Sequence, residues 1–255
     1  MIKISNKFFI IMQKLFYYLR IYGFFRFIWY LLKEVEYFFR GVLQNSYTPF
    51  GEDLIIDKLL GKKKRGFYVD IGAYDPIRFS NTKRFYQRGW SGINIEPNPN
   101  RISLFNKLRP RDINLNIGVA NRNGALNYFR FEPESLSTFS KKVASTYQRY
   151  GYKLIETNKI EVNKLGEILE KYTSPNSKSI DFFSIDTEGF DTEVLRSNNW
   201  ERFRPRVICI EAPSTKDPNY DNSERQLPHS TEKLLTELGY KKAVRTIPNL
   251  IFKLK

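Results

Sequence analysis

Past residue 48 the chain alternates short apolar runs with amphipathic stretches, and that alternation admits few folds. FYVDI (Phe67–Ile71), GINIE (Gly92–Glu96), DINLNIGVA (Asp112–Ala120), IDFFSID (Ile180–Asp186) and RVICIEA (Arg206–Ala212) read as buried strands. Helical patterns fall between them at Ser80–Arg88, with Ser80 as N-cap, near Asn100–Leu108 and around Thr192–Asn198. The stretch Tyr47–Leu60 reads as a loop and a short helix. The end of the chain reads as helix (Thr231–Leu238), strand (Tyr240–Thr246), Pro-Asn turn and strand (Leu250–Leu254). Residues 121–160 are less regular, with a strand at Ala125–Phe131 and a loop at Ser135–Lys142. A short strand IEV and a helix LGEILEKY follow. Strand and helix in turn predict an α/β domain with a largely parallel sheet covered on both faces.

In such sheets the ligand sits outside the carboxyl ends of the strands. The candidate positions are therefore Asp70–Asp75, Glu96–Asn98, Ala120–Asn121, Asp186–Glu188 and Glu211–Pro213. Four of these five ends carry carboxylates, more than packing requires. Gly72 lets a ligand approach the backbone, and the next helix offers its positive N-terminus. A dinucleotide fingerprint would need glycines at 72, 74 and 77, where the chain has Gly72, Tyr74 and Ile77. No GxxxxGK[ST] loop is present, which removes the P-loop nucleotidases. Glu96, 24 residues beyond Gly72, is placed to accept both ribose hydroxyls of a nucleoside. A nucleoside with a ribose and a charged tail but no pyrophosphate describes S-adenosylmethionine. The bland alternative is a carboxylate facing solvent.

Taken in order, FYVDIGAYDP, SNT (Ser80–Thr82), RGWSGINIEPNP, RPRDINLN, FFSIDTEGFDTEVL and RPRVICIEAP resemble the FkbM-type S-adenosylmethionine-dependent methyltransferases, from YTPFGEDLI to about Pro213. The resemblance implies a Rossmann-like seven-stranded methyltransferase sheet ending in an antiparallel hairpin. It implies that Asp70, Gly72 and Ala73 line the methionine part of the cofactor and that Glu96 holds the ribose. Asn98 and the residues around Val119 and Ala120 would lie near the adenine, with Glu52 and Asn81 close to the same pocket. Tyr74 departs from the histidine often found at its position.

The expected activity is O-methyl transfer to a hydroxyl of a glycan, a lipid-linked sugar or another small molecule. Asp186, Glu188 and Glu211 are the catalytic candidates. Asp186 or Glu188 would act as general base, or together with Glu211 they would hold a divalent cation, or Asp186 would only cap the next helix. Ser137, Thr138 and Ser140 are candidate acceptor contacts, or part of a solvated loop. Lys62–Arg65 reads as a solvated turn or a phosphate site, His229 as a cap neighbour or a base, and Cys209 as core.

Residues 1–47 are a different material. Fourteen of the 40 aromatics fall between Phe8 and Phe39, and the segment is net basic by five charges. Between Lys7 and Arg40 no uncharged run exceeds six residues, too short for a bilayer span. No small-residue cleavage site follows, so a secretory signal fits poorly. Two readings remain: an amphipathic helical segment on an anionic membrane surface, or one packed on the domain (48–255) or on a second copy. With 42 Lys and Arg against 27 Asp and Glu, the formal charge is +15, which suits polyanionic partners. An RNA methyltransferase and a non-catalytic membrane-tethered scaffold are the rival functions; no DNA partner is expected. One cysteine and one histidine exclude an internal disulfide and a structural zinc site. The expected location is cytoplasmic, on the inner face of a membrane if residues 1–47 bind lipid.

Overall fold

The computed structural model describes residues 46–173, 179–212, 229–246 and 248–255. The helical segment expected in residues 1–47 lies outside these except for its last two residues, as do Pro213 and most of the Ser/Pro/Asn turn before residue 178. The side chain of His229 is also outside them.

Seven strands form one sheet in the order β3-β2-β1-β7-β8-β10-β9. The strands are β1 (Phe67–Ile71), β2 (Ser91–Ile95), β3 (Ile113–Leu115), β7 (Phe182–Ile185), β8 (Val207–Glu211), β9 (Tyr240–Arg245) and β10 (Asn249–Leu254). β3, β2, β1, β7 and β8 run parallel, whereas β10 lies antiparallel to β8 and to β9. The expected α/β class and terminal hairpin are therefore present. The central strands can be apolar on both faces because helices cover both. Ile71, Ile93, Phe183 and Ile208 join the core on one face; Tyr68, Phe182, Val207 and Cys209 join Phe85 and Trp90 on the other.

The helices are α1 (Glu52–Leu59), α2 (Lys83–Gln87), α3 (Pro99–Leu108), α4 (Lys141–Arg149), α5 (Leu165–Tyr172), α6 (Asp191–Arg196) and α7 (His229–Glu237). The helix expected to start from an N-cap at Ser80 begins instead at Lys83 with Thr82 in the N-cap position, and Ser80 Oγ accepts from the Lys83 N–H at 3.2 Å. Asn98 caps α3 through the Asn100 N–H at 3.0 Å.

Three expectations need correction. The run Asp112–Ala120 is not one strand: Asn116 donates to the carbonyls of Glu96 (2.9 Å) and Pro97 (2.8 Å). The chain thereby leaves the main sheet after β3, and β4 (Gly118–Val119) pairs elsewhere. The irregular middle is in fact a second sheet, β4-β6-β5, formed with β5 (Gly124–Glu132) and the eleven-residue β6 (Lys153–Asn163). The expected loop at Ser135–Lys142 contains a 3-10 turn at Glu134–Leu136 and runs straight into α4, which Ser140 caps.

Candidate functional site

A cavity of about 260 Å³ opens at the carboxyl ends of the parallel strands. All five strand ends picked out in the sequence contribute to it except the third, where Ile117, Gly118 and Val119 line the cavity and Ala120 does not. Ala120 is buried, its N–H bonded to the Asn163 carbonyl of the second sheet.

The floor is built around Glu96, just past β2 and 4% exposed. Its Oε2 accepts from the Tyr74 N–H at 2.9 Å and its Oε1 from the Asn98 N–H at 2.8 Å. Burial nevertheless pushes this carboxyl up to about 7, against those two hydrogen bonds. The Asn98 side chain is 1% exposed, and its Nδ2 has no hydrogen-bond partner. A buried donor left unpaired beside a buried carboxylate marks a place where a ligand belongs.

Asp70, at the end of β1, accepts from Thr82 Oγ1 at 2.6 Å, and burial raises it to about 6. Behind Thr82 lies Arg109, completely buried. It donates to Thr82 Oγ1 (2.6 Å), Ser80 Oγ (2.7 Å) and the Pro76 carbonyl (2.6 Å). Sequence reasoning quoted Arg109 within a motif without giving it this bracing role. Gly72 is required by a neighbour more than by a ligand. A Cβ there would lie 1.8 Å from the Asp186 carbonyl oxygen, and its φ is +76°. The glycine lets the ends of β1 and β7 close against each other.

Glu52 and Asn81 both line the cavity but are engaged within the fold. Glu52 Oε1 accepts from Thr246 Oγ1 (2.6 Å) and Asn249 Nδ2 (3.2 Å), while Asn81 donates to Ser184 Oγ at 3.1 Å.

On the far wall stand Asp186, Glu188 and Glu211, with one carboxylate oxygen of each lying within 4.8 Å of the other two. Asp186 is exposed and Glu211 buried. Helix α6 begins at Asp191, and Asp191 itself accepts from the Thr187 (3.0 Å) and Gly189 (3.2 Å) N–H groups. The helix-cap reading of Asp186 does not fit, because the N-cap position of α6 is Phe190; Asp191, which sequence reasoning missed, instead ties down the loop before the helix. Burial and the nearby Glu211 charge raise the Asp191 carboxyl.

Glu188 holds a left-handed backbone, φ +53°, uncommon for a residue with a side chain. Three side chains of the segment carrying the second sheet fix it. Thr138 Oγ1 donates to its carbonyl at 2.9 Å, the Tyr147 hydroxyl donates to its Oε2, and Val143 packs so closely that a Cβ on Gly189 would lie 2.7 Å away. The hydroxyls expected to meet an acceptor are thus spent internally: Ser137 accepts from the Phe131 N–H, Thr138 holds Glu188, and Ser140 caps α4.

The lining is unlike the rest of this basic chain. Glu52, Asp70, Glu96, Glu134, Asp186, Glu188 and Glu211 contribute seven carboxylates, against the single guanidinium of Arg101. Arg101 is itself paired with Glu134 at 2.6 Å and lies over the Tyr74 ring.

A seven-stranded sheet of this order, with its pocket at the strand ends and a buried carboxylate after β2, defines the Rossmann-like S-adenosylmethionine-dependent methyltransferases. Residues 70–242 match the methyltransferase FkbM domain, and the chain belongs to that family. Among solved structures it is similar to methyltransferase FkbM from Methylobacillus flagellatus (12% identity, TM-score 0.46). That match covers 74% of this chain and 44% of the other, so the chain corresponds to less than half of that protein. It is also similar to a candidate caffeoyl-CoA O-methyltransferase from Staphylococcus aureus (12% identity, TM-score 0.48, covering 87% and 91%). A third is a TehB-like S-adenosylmethionine-dependent methyltransferase from Corynebacterium glutamicum (10% identity, TM-score 0.40, covering 88% and 97%). No curated protein matches. No helix among the described residues is long and apolar enough to cross a membrane.

Proposed function

We propose that this chain transfers a methyl group from S-adenosylmethionine to a hydroxyl of a neutral, polar acceptor such as a glycan, a lipid-linked sugar or another small polyol. The observation that carries the reading is the buried pair at the end of β2: a carboxylate on Glu96 beside an unpartnered donor on Asn98. Those groups suit a ribose diol and an adjoining heteroatom. The carboxylate-rich lining suits a ligand whose sulfonium and ammonium leave it net cationic.

In this reading Glu96 accepts from the ribose hydroxyls, and Asn98 donates near the adenine, with Ala120 behind that wall. Asp70, Gly72 and Ala73 surround the amino-acid end. Glu52 and Asn81 support the pocket from its rim. When bound, the cofactor supplies an electrophilic methyl group. Asp186 or Glu188 takes the proton of the acceptor hydroxyl, and Glu211 raises the basicity of that pair by its charge. Phosphates would meet the same wall with repulsion, which favours a neutral acceptor over RNA. The catalytic reading is preferred to a non-catalytic scaffold because the buried Glu96–Asn98 pair is a cost to stability unless it meets a ligand.

Residues 48–255 form the methyltransferase domain in this reading, and residues 1–47 a separate aromatic and basic segment that lies on an anionic membrane. Two measurements test the assignment: calorimetric binding of S-adenosylmethionine, and transfer of tritiated methyl groups into cell-envelope glycan and RNA fractions. Absence of cofactor binding overturns the assignment, and label in RNA alone overturns the acceptor class. A chelator that abolishes transfer, with Mg²⁺ restoring it, would turn the three acceptor-side carboxylates from base chemistry to cation binding.

A further inference from the structure

The sheet is charge-polarised along its strands. Acids gather where the parallel strands end, and bases gather where they begin. Lys62, Lys64 and Arg65 precede β1, Arg111 precedes β3 and Arg206 precedes β8, all exposed. The antiparallel register brings Lys253 of β10 opposite Val207, and Lys241 of β9 opposite Lys253, so the hairpin adds its bases to the same edge. With strands about 4.8 Å apart, seven of them make a row about 30 Å long.

The acids that reach this edge are mostly withdrawn from it. Asp57, Asp112 and Asp181 are buried, holding Arg88, Tyr68 and Lys63 respectively. Of the exposed ones, Glu237 pairs with Lys233 and Glu170 with Arg202, which leaves Glu201. Helix ends explain only part of the pattern. Lys58 and Lys107 sit in last helical turns, where a base answers the C-terminal dipole. The other bases lie beyond the helices or on strand ends.

We propose that this edge docks on the surface of an anionic phospholipid bilayer. A row of cations along one edge suits a layer of anionic headgroups, and Leu108, 44% exposed between Lys107 and Arg111, gives the row an apolar tip of the kind that enters the headgroup layer. The exposed aromatic side chains among the described residues, Phe50, Phe79, Tyr150 and Tyr152, lie on other elements, so the edge lacks the stacking platform that single-stranded nucleic acid uses. The docked sheet would point its acidic pocket away from the lipid, which, among the acceptors proposed above, favours a glycan or polyol that is free of the membrane over a lipid-linked sugar.

The surface is distinct from residues 1–47, and the test must separate the two. Cys209 is the only cysteine and is buried, so a cysteine introduced into the full-length chain can be labelled selectively. An environment-sensitive dye at Lys64→Cys should shift to the blue on adding phosphatidylserine/phosphatidylcholine vesicles, and stay unchanged with phosphatidylcholine alone or in high salt. The same dye at Lys159→Cys, on β6, should not respond. Reversing Lys62, Lys64 and Arg65 to glutamate should weaken vesicle binding about 100-fold. Reversing Arg122, Lys153 and Lys159, an equal change in net charge, should cost less than threefold. Equal losses from the two triple variants, or a blue shift at Lys159→Cys without one at Lys64→Cys, would overturn the proposal. So would RNA binding that the edge variant abolishes while vesicle binding persists. If the triple variant does not fold, Lys64→Glu alone should still weaken binding about tenfold.

Discussion

The hydroxyl of Tyr147, on α4, donates to the carboxylate of Glu188, in the loop after β7, and so ties the second sheet to the far wall of the pocket. Tyr147 is 3% exposed, so the phenol cannot turn to water instead. Tyr147→Phe keeps the ring packing on Phe131 and Tyr152 and removes the bond to Glu188. Losing a hydrogen bond to a charged partner is worth roughly 1.5–3 kcal/mol. Methyl transfer should therefore fall by about tenfold or more, with the calorimetric affinity for S-adenosylmethionine unchanged. Equal transfer rates in variant and wild type would show that Glu188 needs no such support.

Cofactor binding should follow the protonation of Glu96. Its carboxyl titrates at about 7 in the free protein, and only the ionised form accepts from two ribose hydroxyls. Affinity should hold above pH 8 and decline toward tenfold per unit below pH 6. Glu96→Gln should be weaker at high pH by about 1–3 kcal/mol and lose most of that pH dependence. Calorimetry between pH 5.5 and 8.5 reads both effects.

The same buried carboxyls shape stability with the opposite trend. Asp70 at about 6 and Glu96 at about 7 stand above their ordinary values of 3.8 and 4.5, so the folded chain holds more protons than the unfolded one between them. Their contribution is complete below pH 4 and is lost as pH rises through 6 and 7. Without ligand, these two groups should make the protein less stable at pH 8 than at pH 5. Asp70→Asn should flatten that fall by up to about 3 kcal/mol, the equivalent of its shift. Thermal melts across the range would refute this if the variant and wild type run parallel.

Arg109→Met should destabilise the fold by about 3 kcal/mol or more. It leaves the Pro76 carbonyl and the Ser80 and Thr82 hydroxyls without the donor they share in a sealed environment. It should also loosen Thr82 and with it Asp70, so cofactor affinity should fall alongside stability. Denaturant unfolding and calorimetry on one preparation would show whether the two losses travel together.

What could be read from the sequence depended on burial. The central strands announce themselves because both faces are covered and nearly every residue is apolar, as in Phe182–Ile185. The strand-end rule then located Asp70, Glu96, Asp186 and Glu211 without any knowledge of contacts. Only the IEV end of β6 was legible because most of Lys153–Glu161 is solvent-exposed, and pairing with β5 holds it more than a buried face does. α4 escaped because its buried stripe, Val143, Ala144 and Tyr147, is short and embedded in lysines, serines and threonines. Spacing of i, i+1 and i+4 was the available signal. The ties from Thr138 and Tyr147 to Glu188 span 50 and 41 positions, and no local pattern encodes them.

Glu52 hydrogen-bonds to Thr246 and Asn249 across 194 and 197 positions, so one rim of the pocket joins the start of the domain to its final hairpin. On the ribosome that contact cannot form until nearly the whole domain has been made. During synthesis at roughly 5–20 residues per second, Glu52 must wait about ten seconds or more for these partners, with this rim open. A nascent chain stopped before β10 would leave the outer side of β8 as an unpaired edge, with Ile208 and Ile210 open to misassociation. The hairpin thus doubles as the stopper that ends this vulnerable interval, and the ability to hold cofactor should arrive late and abruptly as the chain lengthens.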